Sequence, residues 1–414
     1  MKGSKIGFID EIFDLIAKEE KRQKETLMLI PSENYTSPEV RKAVGSVLMH
    51  KYAEGYPGKR YYQGIEFVDQ IETLAVERAK KLFKVPYANI QPYSGSPANM
   101  AVYFALLNPG EPMMGMSLSH GGHLTHGHPK VTFAGKYFNC AQYGLDSSKP
   151  GYFDFTEIRK MAQEHKPKVF VVGATAFPRI FPWKEFSEIS EEVGAYLLAD
   201  IAHIAGLVVG GVHPSPAPYC HLITTTTHKT LRGPRGAIIM VTEKGLQKDP
   251  DLGTKIDKAV FPGLQGGPHI HTIAGMAVAL RQAQGEPFKR YARQVVENAK
   301  VLAETLIGGG FNLVTGGTDN HLILVDLRNM SFDGKEAAEK LEEEGIVVNK
   351  NAVPGDTRPP SSPSGIRLGS PAVTTRGMKV TEMKRIGEMI KKVLKEGKSV
   401  KEEVKQLCQE FPLN

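Results

Sequence analysis

The sequence predicts an α/β protein, with a large unit built around a mainly parallel sheet and a smaller C-terminal α+β unit. Three observations predict it. From about residue 85, short apolar runs alternate with longer amphipathic stretches. A long helical stretch then closes at Gly308-Gly309-Gly310, and a new short apolar run, Leu322 to Asp326, opens beyond it.

Taken in order, the segment Phe8 to Lys24 places Phe8, Ile12 and Ile16 at helical spacing among charges, so it reads as an amphipathic helix in need of a partner surface. Leu27 to Ile30 is apolar and runs into a polar turn, Pro31 to Tyr35. Lys168–Gly173, Ala195–Asp200 and Ala237–Val241 read as strands buried on both faces, with a helix over Trp183 to Val193 between the first two. Ligands in such sheets gather beyond the carboxyl ends of the strands, so the residues just after these runs are the ones to weigh. Ile270 to Gly308 reads as one helical stretch with a unit boundary near residue 284. The expected organisation is an N-terminal arm over 1–47, a large unit over 48–284 and a small unit over 285–414.

Composition narrows the class. The 414 residues are 41% hydrophobic and 23% charged, ordinary values for a globular chain and unlike those of disordered, collagenous or membrane proteins. Cys140, Cys220 and Cys408 lie far apart without metal-like spacing, which suits a reducing compartment. No apolar run approaches a bilayer span and no signal-peptide pattern opens the chain, so a cytoplasmic protein is expected. The net charge of +7 comes from bases interleaved with acids rather than gathered in a run, which argues against a nucleic-acid partner and suits small anions.

The most informative segment is Thr224 to Gly236. Four consecutive threonines fit the end of a strand, after which Lys229 stands on a loop beside His228, Arg232 and Arg235, groups that would disfavour its charge. A lysine so placed is a candidate amine nucleophile, although a lone lysine among threonines is more often a surface or phosphate-contact lysine. Asp200 closes an apolar run just before Ile201-Ala202-His203, either as the N-cap of a helix or as an acid partner for a ring nitrogen. Ser94-Gly95-Ser96-Pro97 precedes an apolar helix whose first-turn N–H groups could hold a phosphate or could be an ordinary cap. His120, His123, His126 and His128 are clustered, but the Gly121-Gly122 break and the lack of an acid cluster argue against a metal and for an imidazole lying on a cofactor ring.

Together these residues resemble the serine hydroxymethyltransferase family over nearly the whole chain. The resemblance is carried by Thr224–Gly236 and by further blocks in family order: Lys51–Tyr62, Gly121–Gly127, Phe261–Pro268, Gly316–His321 and Ser364–Arg367. It implies the aminotransferase-like fold type I of pyridoxal-phosphate enzymes and a homodimer with shared active sites. It also implies reversible transfer of a hydroxymethyl unit from L-serine to tetrahydrofolate, giving glycine and methylenetetrahydrofolate.

Residue by residue, Lys229 matches the lysine that forms the aldimine with pyridoxal 5'-phosphate, Asp200 the pyridine-nitrogen partner, and His123 the ring-stacking histidine. His203, Thr175 and Thr226 match groups lining the cofactor. Ser94, Gly95 and Ser96 match its phosphate site, with Tyr52 and Gly267 arriving from the neighbouring subunit. Arg367 matches the substrate carboxylate anchor, assisted by Ser32, Tyr62 and His228, and Glu54 the acid that handles the proton of the serine hydroxyl and of the folate. Leu118, Gly122, His123, Leu124 and Asn351 fall where the family holds the folate. The sequence departs from the common pattern at Tyr93, Pro97, Thr175 and Phe177, and at Pro359–Pro363, which lacks an aromatic residue the family often sets against the folate. A second reading of the same residues is a folate-independent aldolase acting on β-hydroxy amino acids; a third is a non-catalytic binding protein on the same scaffold.

Overall fold

Val, Ile, Leu and Phe dominate the apolar runs, and such residues pack well on a pleated sheet covered on both faces. In the computed structural model, which describes residues 10–129, 131–146, 149 and 151–413, they form a seven-stranded sheet. Its order is Tyr87–Asn89, Ala237–Val241, Leu222–Thr226, Tyr196–Asp200, Val169–Gly173, Pro112–Met116 and Asn139–Tyr143. The last five strands are mutually parallel, and Ala237–Val241 runs antiparallel to both its neighbours. Val169–Gly173, Leu222–Thr226 and Ala237–Val241 are buried along their whole length. The three expected strands and the Trp183–Glu192 helix lie within one residue of their expected ends. Helices cover both faces, and one of the two apolar clusters on the sheet holds Phe170, Trp183, Phe186 and Ile189.

The expected helix over Ile270–Gly308 is two helices, Ile270–Ala283 and Glu286–Gly308. Gly285 is the extended N-cap of the second, and Pro287 sits in its first turn. Proline is tolerated there because the first-turn N–H groups have no intrahelical partner, whereas in a continuous helix it would remove a hydrogen bond. Beyond lies a second, antiparallel sheet in the order Asn312–Leu313, Leu322–Asp326, Gly365–Gly369 and Asn349–Asn351. It has its own apolar cluster, to which Leu27 and Leu29 of the N-terminal segment belong. That segment adds a short strand, Leu27–Met28, parallel to Ile346–Val347.

The first described helix is Glu11–Glu25, capped by Asp10; the earlier part of the expected Phe8–Lys24 helix falls outside the described residues. Ile12, Phe13, Leu15 and Ile16 are exposed on it, so these apolar side chains have no cover among the described residues. No helix among the described residues is long and apolar enough to cross a membrane.

The two sheets are latched together by the Gly316–His321 segment. Asn320 donates to the Phe177 carbonyl at 3.0 Å, the Asp319 amide donates to the Pro178 carbonyl at 2.8 Å, and Arg179 pairs with Asp319 at 2.9 Å. The latch brings the middle strand of the second sheet, which carries Arg367, against the carboxyl ends of the first.

Candidate active site

The carboxyl ends of Val169–Gly173, Tyr196–Asp200 and Leu222–Thr226 open into a cavity of about 380 Å³. Its lining includes Ser32, Ser94, Gly95, Ser96, His123, Thr175, Asp200, His203, Thr226, His228, Lys229, Asn351 and Arg367. Residues from eight separate stretches of the sequence thus converge where an open parallel sheet is expected to bind ligands.

Lys229 stands on the loop after Leu222–Thr226, and its Nζ donates to Thr226 Oγ1 at 2.8 Å. The loop is held from outside: Asn34 Nδ2 donates to the Lys229 carbonyl at 3.0 Å and to Tyr291 Oη at 2.7 Å. Burial pushes the Lys229 ammonium down to about 8, Arg235 and Arg367 push it the same way, and Asp200 opposes them. Of the neighbours read from the sequence, Arg235 therefore acts as expected. Arg232 does not: its backbone turns into the left-handed region, with φ 58°, and its guanidinium lies over the Tyr291 ring at 4.2 Å. His228 is not among the groups that move Lys229; its own pKa is pushed down to about 3 by burial and then by the Lys229 charge.

Asp200 does not cap a helix, because the helix that follows begins at Ala205 with Ile204 as its N-cap. Its Oδ2 accepts from Asn99 Nδ2 at 2.9 Å and meets His126 Nε2 at 3.0 Å, and Oδ1 accepts from the Ala202 amide at 3.1 Å. Burial raises the carboxyl pKa, but the His126 contact and the Asn99 bond overcome it and hold the group ionised, well below the usual carboxylate range. Thr224 fixes Asn99 in turn, donating to its Oδ1 at 2.7 Å. Gly173 is the only residue type that fits beside this aspartate: a Cβ there would lie 2.3 Å from the Asp200 carbonyl oxygen.

His123 is pushed down to about 4 by burial, and His203 well below its ordinary value for the same first reason. Both rings are therefore neutral at neutral pH, as a ring stacked on a cofactor should be. His123 Nδ1 and Thr125 Oγ1 lie 2.7 Å apart, which orients the imidazole. At the opposite wall, Ser94 is the N-cap of the Gly95–Leu106 helix yet makes no side-chain cap bond, leaving its hydroxyl available to a ligand. A Cβ at Gly95 would come within 2.8 Å of Thr226 Cγ2, so glycine keeps this corner open.

Arg367 is 8% exposed, and burial pushes its pKa down to about 10. It donates through Nη1 to the Thr175 carbonyl and through Nε to Asn349 Oδ1 at 3.1 Å, and no carboxylate pairs with it among the described residues. A buried guanidinium without a carboxylate is a costly arrangement that an anionic ligand relieves. The Thr175 hydroxyl is turned to the Gly121 and Gly122 carbonyls, at 3.2 and 3.3 Å. His228 Nδ1 is buried without a hydrogen-bond partner among the described residues.

The cavity thus offers one ionised carboxylate, three cations and neutral imidazoles. That donor set fits pyridoxal phosphate together with an amino acid: dianionic phosphate, protonated ring nitrogen and carboxylate each find a complementary group.

Other expected residues lie elsewhere. Tyr52, Glu54, Tyr62 and Gly267 form a second group outside this lining. The Tyr52 and Tyr62 rings are 5.0 Å apart, and Tyr52 carbon atoms lie against Gly267. Tyr93 bridges the two groups, being next to Ser94 and donating to the Gly267 carbonyl at 2.9 Å. Tyr52 and Tyr62 are exposed. Leu118, Gly122 and Leu124 also fall outside the lining, although Asn351 and His123 belong to it. A side chain on Gly122 would collide with the Met116 carbonyl at 2.0 Å, which accounts for glycine there. No group of His, Cys, Asp or Glu among the described residues is arranged to hold a metal. The sequence reading missed Asn99 and His126, although both lie within segments it singled out.

Comparison with known proteins gives the same answer. The family model described as serine hydroxymethyltransferase matches residues 8–390. The chain is 55% identical over 409 residues to a serine hydroxymethyltransferase of Methanosarcina barkeri, covering 97% of each chain. It is 54% identical over 408 residues to one of Desulfotalea psychrophila, covering 97% of this chain and 94% of the relative. The chain belongs to the serine hydroxymethyltransferase family, whose members use pyridoxal phosphate and tetrahydrofolate to move a one-carbon unit between serine and glycine.

Proposed function

We propose that the cavity around Lys229 is the site at which this chain transfers a hydroxymethyl unit from L-serine to tetrahydrofolate, and that its residues divide the work as follows. Pyridoxal phosphate, when bound, supplies a carbonyl carbon for exchange of amines and a ring that accepts electron density. Ser94, Gly95 and Ser96, at a helix N-terminus, hold its phosphate. Asp200 would hold a proton on its ring nitrogen, and His123 would flank the ring. Lys229 would anchor the group covalently through its amine. Arg367 binds the substrate carboxylate with Ser32 and His228 beside it, while Thr175, His203 and Thr226 line the ring.

Glu54 handles the proton of the serine hydroxyl and that of the folate during transfer. Glu54, Tyr52, Tyr62 and Gly267 serve the cavity of a second copy of the chain, so the working unit is at least a homodimer; their separation from Lys229 within one chain and the exposure of both tyrosines support this. Leu118, Gly122, Leu124 and Asn351 receive the folate. The unit boundary falls near residue 284, a placement supported by the helix break at Gly285. Three free cysteines suit the cytoplasm.

The observation that carries this reading is a lysine with a lowered pKa beside an ionised aspartate and a buried guanidinium without a carboxylate, all in one cavity. The test is serine cleavage with and without tetrahydrofolate. Stimulation by folate is expected; equal rates would favour the folate-independent aldolase. Glu54→Gln is expected to keep the visible absorbance of the loaded protein and to lower folate-dependent transfer about a hundredfold, within the range general acid–base groups supply.

A further inference from the structure

Glu54 stands at the start of a tight hairpin, Gly55–Tyr56 with Lys59–Arg60, turned by Pro57-Gly58. Gly55 sits at φ 95°, and a Cβ there would lie 2.2 Å from the Lys59 carbonyl oxygen, so the chain at Glu54 has little room to shift. The carbonyls of three consecutive residues are all engaged. Arg60 Nη1 donates to the Ala53 and Gly55 carbonyls, both at 2.8 Å, and the Tyr61 amide donates to the Glu54 carbonyl at 3.0 Å.

The guanidinium that grips both sides of Glu54 is itself held by two acids, three residues apart on the Glu66–Phe83 helix and therefore on the same face. Arg60 Nε donates to Asp69 Oδ1 at 2.9 Å and Nη2 to Glu72 Oε2 at 2.5 Å. Asp69 Oδ2 also accepts from the Gly58 amide at 2.8 Å, tying down the turn. From the sheet side, Gln91 Nε2 donates to Glu72 Oε1 at 2.7 Å and to the Gly55 carbonyl at 3.0 Å. The Arg60 and Glu72 side chains are each 2% exposed. Four of the five guanidinium hydrogens thus meet two carboxylates and two carbonyls, a pattern a lysine cannot reproduce.

We propose that Arg60, Asp69, Glu72 and Gln91 are positioning residues that fix the backbone on either side of Glu54, and so set the place from which its carboxyl handles the hydroxyl and folate protons in folate-dependent transfer. The proposal rests on Glu54 having that role. Its physical logic is that proton transfer requires heavy atoms within hydrogen-bond reach, and a displacement of about 1 Å can cost about a hundredfold. A scaffold that only stabilised the fold would affect all reactions of the site alike.

The test uses three full-length, cofactor-loaded variants: Arg60→Lys, Glu72→Gln and Glu54→Gln. Each is assayed for serine cleavage with tetrahydrofolate across pH and for folate-independent cleavage of threonine. Arg60→Lys and Glu72→Gln are expected to lower folate-dependent kcat about tenfold or more. They are also expected to shift the acid side of its pH profile, and to lower threonine cleavage at least severalfold less than transfer, because threonine cleavage has no folate proton to move. Equal losses in both reactions, or no loss in either, overturn the proposal. Glu72→Gln is nearly isosteric and decides the question if Arg60→Lys does not fold. If Glu54→Gln itself retains transfer, the role of Glu54 fails and the clamp with it. If Glu54→Gln loses transfer while both clamp variants keep it, the positioning claim alone is wrong.

Discussion

Asp200→Asn is expected to lower kcat for serine cleavage about a thousandfold, which corresponds to about 4 kcal/mol of transition-state stabilisation. The carboxylate is held ionised by His126 and Asn99, against a burial cost that would otherwise protonate it. An ionised acid at this place would hold a proton on the ring nitrogen of bound pyridoxal phosphate, which would make the ring a better electron acceptor. The amide has almost the same shape, so the Ala202 amide keeps an acceptor and the cavity keeps its form. The measurement is kcat with cofactor content determined on the same sample. A loaded variant whose kcat stays within about fivefold of the parent would show that this charge is not needed.

Arg367→Ala is expected to lower kcat/KM for serine by a similar factor, mostly through KM. A bidentate guanidinium–carboxylate pair loses two charge-assisted hydrogen bonds of about 2 kcal/mol each when the arginine is removed. Arg367 is paired with Leu324 and Asn349 in the second sheet and belongs to neither the strand that carries Asp200 nor the loop that carries Lys229. The visible absorbance of the loaded protein should therefore survive. Titration with glycine separates binding from turnover: the expected result is affinity reduced in step with KM. Unchanged glycine affinity would place the carboxylate elsewhere.

Much of this architecture was readable in advance because it depends on local pattern. Ala237–Val241 and Leu322–Asp326 are apolar runs with clear ends, and both are strands over the expected residues. Lys229 and Asp200 follow or close such runs, and their meeting in one cavity follows from the parallel order of the strands before them. The helix over Ile270–Gly308 was misjudged because its apolar periodicity continues across Gly285, and the interruption is announced only by Gly285 and Pro287.

What lay beyond reach was side-chain direction in loops and contacts across long sequence separations. Arg232 is three residues from Lys229, yet a left-handed backbone turns it onto Tyr291. His126 stands three residues after His123 in the same run, and only the tertiary fold brings it to Asp200, 74 residues away. Likewise the grip on Glu54 joins the hairpin to Asp69, Glu72 and Gln91, a set that no spacing rule collects.

Cofactor attachment depends on Lys229, and the most direct measurement is to add pyridoxal phosphate to cofactor-free protein, reduce with borohydride at timed intervals and map the modified peptide. The expected label is on Lys229. With a pKa of about 8, its capture rate should rise about tenfold from pH 7 to pH 9 and then level off, whereas an ordinary lysine would keep gaining beyond pH 10. Label on another lysine, or none at all, would contradict the account.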